Sequence, residues 1–335
     1  MRKDHHEGPP LLEVEQLTKD YRRGVRANDD ISLRVPAGQV FGLLGHNGAG
    51  KTTLLNQVIG LARPTRGSIR IDGADAVADP AMARRVCSMQ PQAQAPLDGV
   101  TPRQAIELMA RIRGARRQQA RHRAAELIDA LDLGSWADTL GDRLSGGVRR
   151  LTAFCMMAAE PGRLVMLDEP TNDVDPVRRR LLWGQIRALA DLGCAVVLVT
   201  HNVVEAERAV ERLAVLDQGR VVAQGTPAEL RGDDGDRLRL EVVAPDAAAA
   251  EALASAPAVP ASAPAVASGR RMVLTIDAVH AADALRWAQN ERTAGRIEEF
   301  SVTPVSLEDV YIRLVGSGRP RDEQTEENGD ASLVA

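Results

Sequence analysis

A glycine-rich segment, GHNGAGKTT at residues 45–53, limits the possible folds of this chain more than any other feature of the sequence. It matches the pattern G-x-x-x-x-G-K-[ST], in which backbone N–H groups surround the oxygen atoms of a polyphosphate. The apolar run QVFGLL precedes the segment, and the run TTLLNQVIGL, which has helical periodicity, follows it. This order of strand, loop and helix predicts an α/β fold, because the loop and the positive end of the helix then meet at one anion-binding site.

The residue types within the loop indicate how it binds. Its glycines let the backbone approach an anion closely. Lys51 can reach the outer phosphates, and the Thr52 hydroxyl suits one coordination position of Mg²⁺. The alternative, a glycine-rich turn with an unrelated lysine, is disfavoured by the strand and helix on either side. The predicted nucleotide-binding residues of the loop are Gly45, His46, Asn47, Gly48, Ala49, Gly50, Lys51, Thr52 and Thr53.

Two acidic residues close the apolar segment LVMLDEP at residues 164–170. A strand of this kind would place Asp168 where it can hold Mg²⁺ through a water molecule, and Glu169 where it can polarise an attacking water. Solvent-facing acids at the end of a strand are the alternative interpretation. The phosphate loop favours the catalytic interpretation, because phosphoryl transfer at such a loop requires acidic partners.

Strand-like and helical segments alternate from residue 11 to about residue 231, which predicts an α/β domain with a largely parallel sheet. Successive helical patterns at about 93–160 predict a helical subdomain inserted in this domain. The first helix of the subdomain is expected to bury a stripe formed by Ala105, Leu108, Met109 and Ile112.

A smaller α/β domain is predicted at residues 232–316, with three strand-like segments and a terminal helix at SLEDVYIRLVG. The Ala/Pro/Ser-rich segment at 254–269 is expected to be an extended linker. Residues 1–10 and the acidic residues 317–335 are expected to be disordered.

The segment LSGGVRR, residues 144–150, precedes a helical pattern and contains two glycines. Ser145 can cap the helix by accepting backbone hydrogen bonds. Gly146 and Gly147, however, weaken a first turn by roughly 1 kcal/mol each relative to alanine. We therefore expect a second role for this turn, one that requires backbone free of side chains.

Together, these motifs resemble those of the ATP-binding cassette ATPases. The loop at 45–53, the PQ of SMQPQ, LSGG, LVMLDEP, NDVDP and the TH of VTHN occur in the order typical of that family, over about residues 11–231. The resemblance implies a P-loop NTPase cassette, in which a RecA-like parallel sheet carries an N-terminal antiparallel β part and an inserted helical subdomain. It also implies ATP and Mg²⁺ as cofactors and a head-to-tail dimer, in which LSGG of one copy closes over the ATP of the other.

The resemblance implies roles for individual residues. Tyr21 would stack on adenine, Gln92 would contact Mg²⁺ or water and signal to the transport subunit, and His201 would hold the γ-phosphate. The alternatives without a catalytic role are a surface aromatic for Tyr21, an ordinary loop residue for Gln92 and a strand-end histidine with a satisfied hydrogen bond for His201. The residues expected at the interface between two copies are Ser145, Gly146, Gly147 and Asp175.

Two departures from the family pattern stand out in this chain. Val148 occupies the position after LSGG, where glutamine is common, and removes a polar side chain from that end of the site. Asp173 belongs to a loop, NDVD, where small or apolar residues are commoner. The departure at Val148 affects the details of the nucleotide site, and the departure at Asp173 affects the contacts expected between two copies.

The last predicted strand and helix, residues 296–316, resemble the C-terminal extension of export ATPases of the daunorubicin-resistance type, whose permease is a separate membrane protein. This implies the motor of an exporter for drugs, lipids or other amphipathic molecules, bound to a permease of the ABC-2 type at the cytoplasmic face of the cell membrane. A soluble cassette ATPase acting on nucleic acid or ribosomes is the alternative. Such relatives usually carry two cassettes or a long coiled coil, and this chain has one phosphate loop.

Composition agrees with the exporter interpretation. The formal net charge of −4 gives no global basic field, so we expect no nucleic-acid partner. The chain has no apolar run of the roughly 20 residues that a membrane span needs, and MRKDHHEGPP lacks the apolar region of a signal peptide. The three cysteines stand in apolar segments and are expected to be buried, reduced thiols.

Overall fold

The computed structural model describes residues 10–232, 236–255, 259–262 and 265–316. The segments expected to be disordered, 1–10 and 317–335, lie outside the described residues, except that Pro10 begins the first strand.

Strands and helices alternate over most of the described chain. The strands are β1 (Pro10–Asp20), β2 (Arg26–Pro36), β3 (Val40–Leu44), β4 (Arg66–Ile71), β5 (Ala74–Asp75), β6 (Cys87–Gln90), β7 (Leu164–Asp168), β8 (Ala195–Thr200), β9 (Arg212–Asp217), β10 (Arg220–Gly225), β11 (Arg237–Val243), β12 (Val266–Ser268), β13 (Arg271–Asp277) and β14 (Glu299–Pro304). The helices are α1 (Lys51–Val58), α2 (Pro80–Val86), α3 (Pro102–Ile112), α4 (Arg117–Ala130), α5 (Gly146–Ala158), α6 (Pro176–Asp191), α7 (Val203–Ala209), α8 (Pro227–Arg231), α9 (Ala247–Ser255), α10 (Ala281–Thr293) and α11 (Leu307–Gly316).

A six-stranded sheet with the order β10-β9-β3-β8-β7-β6 forms the centre of the molecule. It is parallel except for β10, which pairs with β9 in the antiparallel direction. Every residue of β3, β7 and β8 is buried, as expected for strands covered on both faces. Because β3 and β7 run in the same direction with β8 between them, the phosphate loop and the acidic pair lie at the same edge of the sheet. The predicted α/β architecture is confirmed.

An antiparallel sheet with the order β2-β1-β4-β5 covers one face of this central sheet. Its apolar residues share a core with Phe41 and Leu43 of β3. The alternate β3 residues, Val40 and Leu44, face the other core, which includes the helices α3, α4 and α5. The alternation of side chains along one strand therefore joins the antiparallel part to the helical subdomain.

The first helix of the subdomain buries the expected stripe only in part. Ala105 is buried as expected and Met109 is half-buried, whereas Leu108 and Ile112 are 54% and 69% exposed. Ile106 and Ala110 are buried instead, because small alanines allow close packing between helices and periodicity alone does not distinguish such a face from its neighbour.

The C-terminal region contains a separate antiparallel sheet with the order β12-β13-β11-β14. Helices α9 and α10 pack on it around a third apolar core. The extended linker expected at 254–269 is wrong in part. Val259 is buried in this core, and Val266–Ser268 pair with β13 as an edge strand, so apolar residues within the Ala/Pro/Ser-rich segment attach it to the sheet.

The terminal helix departs from the expected domain division. Leu307 and Val310 of α11 are buried in the core of the cassette rather than in that of the C-terminal sheet. The backbone N–H of Leu307 donates to the Glu207 carboxylate of α7 at 3.2 Å, and Glu207 also pairs with Arg231 of α8. The chain thus leaves the cassette, forms a small sheet and returns to the cassette with its last helix.

Candidate active site

Lys51 lies across the phosphate loop. Its Nζ donates to the backbone carbonyl oxygens of Gly45 at 2.6 Å and His46 at 2.9 Å, and the residue is 8% exposed. Burial lowers the pKa of Lys51, while the charges of Glu169 and Asp168 act in the opposite direction. The ammonium is thus held at the centre of the loop, where incoming phosphate oxygens can replace the carbonyl contacts.

Gly50 has a backbone φ of +103°, in the region that favours glycine. A Cβ atom at Gly50 would lie 2.3 Å from the carbonyl oxygen of Ala27, so no other residue fits there without movement. Asn28, which is completely buried, donates to the Gly50 carbonyl oxygen at 3.1 Å and accepts from Gln57 of α1 at 2.7 Å. Asn28 and Gln57 were missed by the sequence analysis, because neither belongs to a motif.

The first part of the loop is tied to strand β9. His46 Nε2 lies 2.9 Å from the Asp217 carboxylate, and its Nδ1 lies 2.6 Å from the Asn47 carbonyl oxygen. A Cβ at Gly45 would lie 2.4 Å from the carbonyl oxygen of Leu216. Gly45 and His46 therefore shape the loop through contacts with the sheet.

Asp168 ends β7 and meets the first turn of α1. The Thr52 hydroxyl donates to Asp168 Oδ2 at 3.1 Å, and Asp168 is 2% exposed. Burial raises the pKa of Asp168, against the Thr52 hydrogen bond, which lowers it. A carboxylate and a hydroxyl so placed form an oxygen donor pair of the kind that Mg²⁺ prefers.

Glu169 is buried and held by three donors at the end of β8. The Thr200 hydroxyl donates to Oε2 at 3.1 Å, the backbone N–H of His201 donates to Oε1 at 2.9 Å, and His201 Nδ1 lies 2.7 Å from the same oxygen. The Glu169 backbone has a φ of +52°, which is uncommon for a residue other than glycine. Its own N–H donates to the Val199 carbonyl oxygen at 2.9 Å, which fixes this conformation. Thr200 belongs to the VTHN segment, but that pattern alone does not predict a role for its hydroxyl.

Phosphate-loop residues and the acidic pair line one cavity of about 250 Å³. Gln92 also lines it, as its predicted role requires. The lining consists of Ala27, Asn47, Gly48, Gly50, Lys51, Thr52, Thr53, Gln92, Asp168 and Glu169. His201 contacts Glu169 but does not line the cavity. The other predicted residues outside this lining are Tyr21, Gly45, His46, Ala49, Ser145, Gly146, Gly147 and Asp175.

The LSGG segment begins α5 in the manner predicted. Ser145 precedes the helix and its hydroxyl accepts from the Val148 N–H at 3.4 Å. Packing within the same chain explains why residue 147 is a glycine. A Cβ at Gly147 would lie 2.4 Å from the Asp173 carbonyl oxygen. A Cβ at Gly146 would find its nearest neighbour at 3.5 Å, an ordinary contact. Packing within the chain therefore accounts for Gly147 and leaves Gly146 unexplained.

The two remaining predicted residues are exposed. Asp175 caps α6 by accepting from the backbone N–H groups of Val177 at 3.1 Å and Arg178 at 3.0 Å. The hydrogen bond from Arg178 lowers the pKa of Asp175. The ring of Tyr21, beside the start of β2, has Lys19 Nζ 4.9 Å from its centroid. Nothing within a single chain assigns either residue to the nucleotide.

Comparisons with known proteins identify the family. The family model described as "ABC transporter" matches residues 28–172. A daunorubicin/doxorubicin resistance ATP-binding protein of Streptomyces peucetius is 37% identical over 331 residues, which cover 97% of this chain and 98% of that protein. This chain belongs to the ATP-binding proteins of the ABC transporter family.

Other ABC proteins agree with this assignment. A Nod factor export ATP-binding protein I of Burkholderia thailandensis is 35% identical over 91% of this chain and 97% of its own length. Among solved structures, the ATP-binding subunit of an ABC transporter has a TM-score of 0.63 at 28% identity, covering 67% of this chain and 93% of that subunit. The cassette MJ0796, in a dimeric post-hydrolysis state bound to ADP and Pi, has a TM-score of 0.59 at 25% identity, covering 64% of this chain and 98% of its own.

The chain is thus an ABC transporter ATPase that binds and hydrolyses ATP, and its fold is the P-loop cassette that the motifs predict. Across the residues that the structure describes, no helix has both the length and the apolar character that crossing a bilayer requires.

Proposed function

We propose that two copies of this chain form the motor of an exporter for amphipathic molecules, bound at the cytoplasmic face of the membrane to a separate permease of the ABC-2 type. The observation that carries the proposal is the division of the site. The phosphate cavity is lined by the loop, Gln92 and the acidic pair, while Ser145 and Gly146 stand at a helix N-terminus outside it. Two copies packed head to tail would bring these halves together.

Within one copy, the loop binds the phosphates of ATP. Lys51 would exchange its two carbonyl contacts for phosphate oxygens, and α1 would direct its N-terminal backbone toward the same anion. Asn28 and Gln57 keep the loop carbonyl at Gly50 in place during this exchange. Tyr21 would stack on the adenine outside the cavity.

Mg²⁺ fits the residues at the end of β7. The Thr52 hydroxyl and the Asp168 carboxylate are hard oxygen donors 3.1 Å apart, and Gln92, whose side chain carries an amide oxygen, lines the same cavity. We propose that Thr52 and Gln92 contact the ion directly and that Asp168 does so through water. When bound, Mg²⁺ neutralises charge that develops on the transferred phosphoryl group.

Glu169 is proposed to polarise the attacking water. Its carboxylate lines the cavity and is oriented by Thr200 and by the backbone of His201, so it needs little rearrangement before it accepts a proton. His201 Nδ1 lies 2.7 Å from Glu169 Oε1, and we propose that the same imidazole ring holds the γ-phosphate. The contact between the two side chains would couple water activation to the presence of the phosphate.

The second copy is proposed to complete the site from outside. The first turn of its α5 offers backbone N–H groups and the Ser145 hydroxyl to the γ-phosphate, and Gly146 leaves that backbone accessible. Asp175, exposed at the N-terminus of α6, would lie at the contact between the two copies. ATP would then favour the closed dimer, and hydrolysis would release it.

A groove beside Gln92 is the proposed contact with the permease. It has a volume of about 240 Å³ and includes four methionines, Met89, Met109, Met156 and Met157. Methionine side chains adapt to an irregular apolar partner, and the groove contains Pro91, the neighbour of Gln92. Relatives named for daunorubicin resistance and Nod factor export support an amphipathic cargo.

The test uses a variant that binds ATP without hydrolysing it. We expect Glu169→Gln with ATP and Mg²⁺ to form a dimer of twice the 36.0 kDa chain mass, measured by light scattering. Adding Ser145→Asp should abolish this dimer, because the new carboxylate would face the partner's γ-phosphate. Ser145→Asn is the matched control, since both residues cap α5 and only aspartate adds charge.

Three outcomes contradict the proposal. Hydrolysis by Glu169→Gln at the rate of the unsubstituted chain would remove Glu169 as the base. A monomer that has bound ATP, or equal dimerisation by both Ser145 variants, would refute the shared site.

A further inference from the structure

We infer that Arg150 is a positioning residue that joins the Gln92 loop to the start of α5, so that the magnesium side of one site and the partner-facing end of the same chain move together. The inference rests on the proposed function and extends it, because Arg150, although it ends the LSGGVRR segment, has no role in that proposal.

The guanidinium group of Arg150 is buried beneath the Gln92 loop. Its Nη1 donates to the carbonyl oxygen of Gln92 at 2.7 Å and approaches that of Pro91 at 3.4 Å, and the residue is 7% exposed. A buried cation costs free energy unless its contacts compensate. Here the contacts are made with the loop that carries Gln92 into the cavity.

A second contact runs in the opposite direction. The side chain of Gln90, 1% exposed at the end of β6, donates through Nε2 to the backbone carbonyl oxygen of Arg150 at 3.1 Å. Arg150 therefore binds the loop through its side chain and is bound by the preceding strand through its backbone. Since Arg150 lies one turn after the Ser145–Gly147 end of α5, a displacement of that end also moves the Gln92 backbone.

Of the three residues proposed to hold Mg²⁺, Gln92 is the one whose backbone Arg150 binds directly. Loss of that hydrogen bond would release the loop that carries Gln92 into the phosphate cavity. Loss of Arg150 should therefore change the magnesium dependence of the reaction more than ATP binding.

Arg113 provides a matched control at the other end of β6. It donates to three backbone carbonyl oxygens, those of Glu160 at 2.7 Å, Cys87 at 3.1 Å and Arg85 at 3.2 Å. It therefore resembles Arg150 as an arginine that fixes backbone, but none of its contacts involves residues of the phosphate cavity.

The experiment compares Arg150→Met with Arg113→Met in the full chain. For Arg150→Met we expect at least a tenfold fall in kcat and a several-fold rise in the Mg²⁺ concentration that gives half the maximal rate, with KM for ATP within about threefold. For Arg113→Met we expect a similar loss of Tm, with kcat and magnesium dependence within about twofold. Equal kinetic effects of the two variants would overturn the inference, because both arginines would then be merely structural.

A second measurement needs no substitution at Arg150. In Glu169→Gln with ATP, hydrogen exchange of residues 88–96 and 144–152 should slow with the same midpoint as Mg²⁺ is added. Different midpoints would show that the two segments respond separately and would overturn the inference, even if Arg150→Met does not fold. If neither the unsubstituted chain nor Arg113→Met hydrolyses ATP, the proposed function fails instead.

Discussion

Substitutions at the two glycines of LSGG distinguish the effect of packing within one chain from the effect of contact between two chains. Gly146 and Gly147 are neighbours in the first turn of α5, and alanine is the smallest substitution at each. At Gly147 the new Cβ would lie 2.4 Å from the Asp173 carbonyl oxygen and 3.2 Å from the Asp173 carbonyl carbon. At Gly146 its nearest neighbour would be the amide nitrogen of Gln94 at 3.5 Å.

These distances predict opposite effects on stability. A Cβ cannot remain 2.4 Å from a backbone oxygen, so the loop at Asp173 or the helix must shift in Gly147→Ala. Overpacking of this kind costs roughly 1–3 kcal/mol, and each kcal/mol lowers Tm by about 2–4 °C in a domain of 150–250 residues. Gly146→Ala meets no obstacle and has the higher helix propensity, so Tm should stay the same or rise slightly.

The same pair tests the proposed dimer. In the Glu169→Gln background, Gly146→Ala should fold normally yet weaken the ATP-dependent dimer, because its methyl group would stand between the helix N-terminus and the partner's phosphate. The assays are thermal unfolding of the monomer without nucleotide and light scattering with ATP. An unchanged Tm for Gly147→Ala would refute the packing argument. A stable Gly146→Ala that dimerises as before would refute the role of that glycine between chains.

Three further predictions concern the core, the thiols and the buried acid. Leu307→Ala should lower the free energy of unfolding by about 2–5 kcal/mol, because Leu307 is buried in the cassette core. Ile312→Ala, at a position 60% exposed on the same helix, should change the free energy of unfolding by less than about 0.5 kcal/mol. Equal effects of the two variants in thermal unfolding would contradict the docking of α11. Burial raises the pKa of Cys87 and of Cys155 to about 12. At pH 8 both thiols should therefore resist iodoacetamide in the native protein and react with it in denaturant, which mass spectrometry would detect. Rapid labelling of either thiol in the native protein would contradict the prediction. Asp168→Asn should raise Tm at neutral pH without Mg²⁺, because burial raises the pKa of Asp168 in the folded state. At pH values between the pKa of Asp168 in the unfolded state and its pKa in the folded state, the folded state binds more protons. The contribution of Asp168 to stability therefore falls as pH rises through that window. The gain should therefore shrink toward pH 4, and a gain independent of pH would contradict the assignment.

Contiguous sequence determined the chemistry of the phosphate site. Lys51 and Thr52 follow their glycines within one loop, and Asp168 and Glu169 are adjacent at the end of one apolar strand. Parallel strand direction then brings both motifs to one edge of the sheet, so local pattern was sufficient to predict the cavity. The order of the motifs along the chain was likewise enough to predict the cassette.

Only the tertiary structure decided which residues support those motifs. Asn28, Thr200 and Arg150 act through hydrogen bonds to Gly50, Glu169 and Gln92, each formed between segments far apart in the chain. No periodicity marks such a residue, because its partner is set by how the strands and helices pack.

Packing also decided the placement of two helices for which the sequence expectation was wrong. The helix beginning at Leu307 has an apolar face that would fit either core, and only the path of the chain directs it to the cassette. Helix α3 buries the alanine face that allows close approach and leaves Leu108 exposed, against the stripe that hydrophobic periodicity predicts. Sequence pattern determines that a helix has an apolar side, whereas the neighbouring elements determine which side is covered and by what.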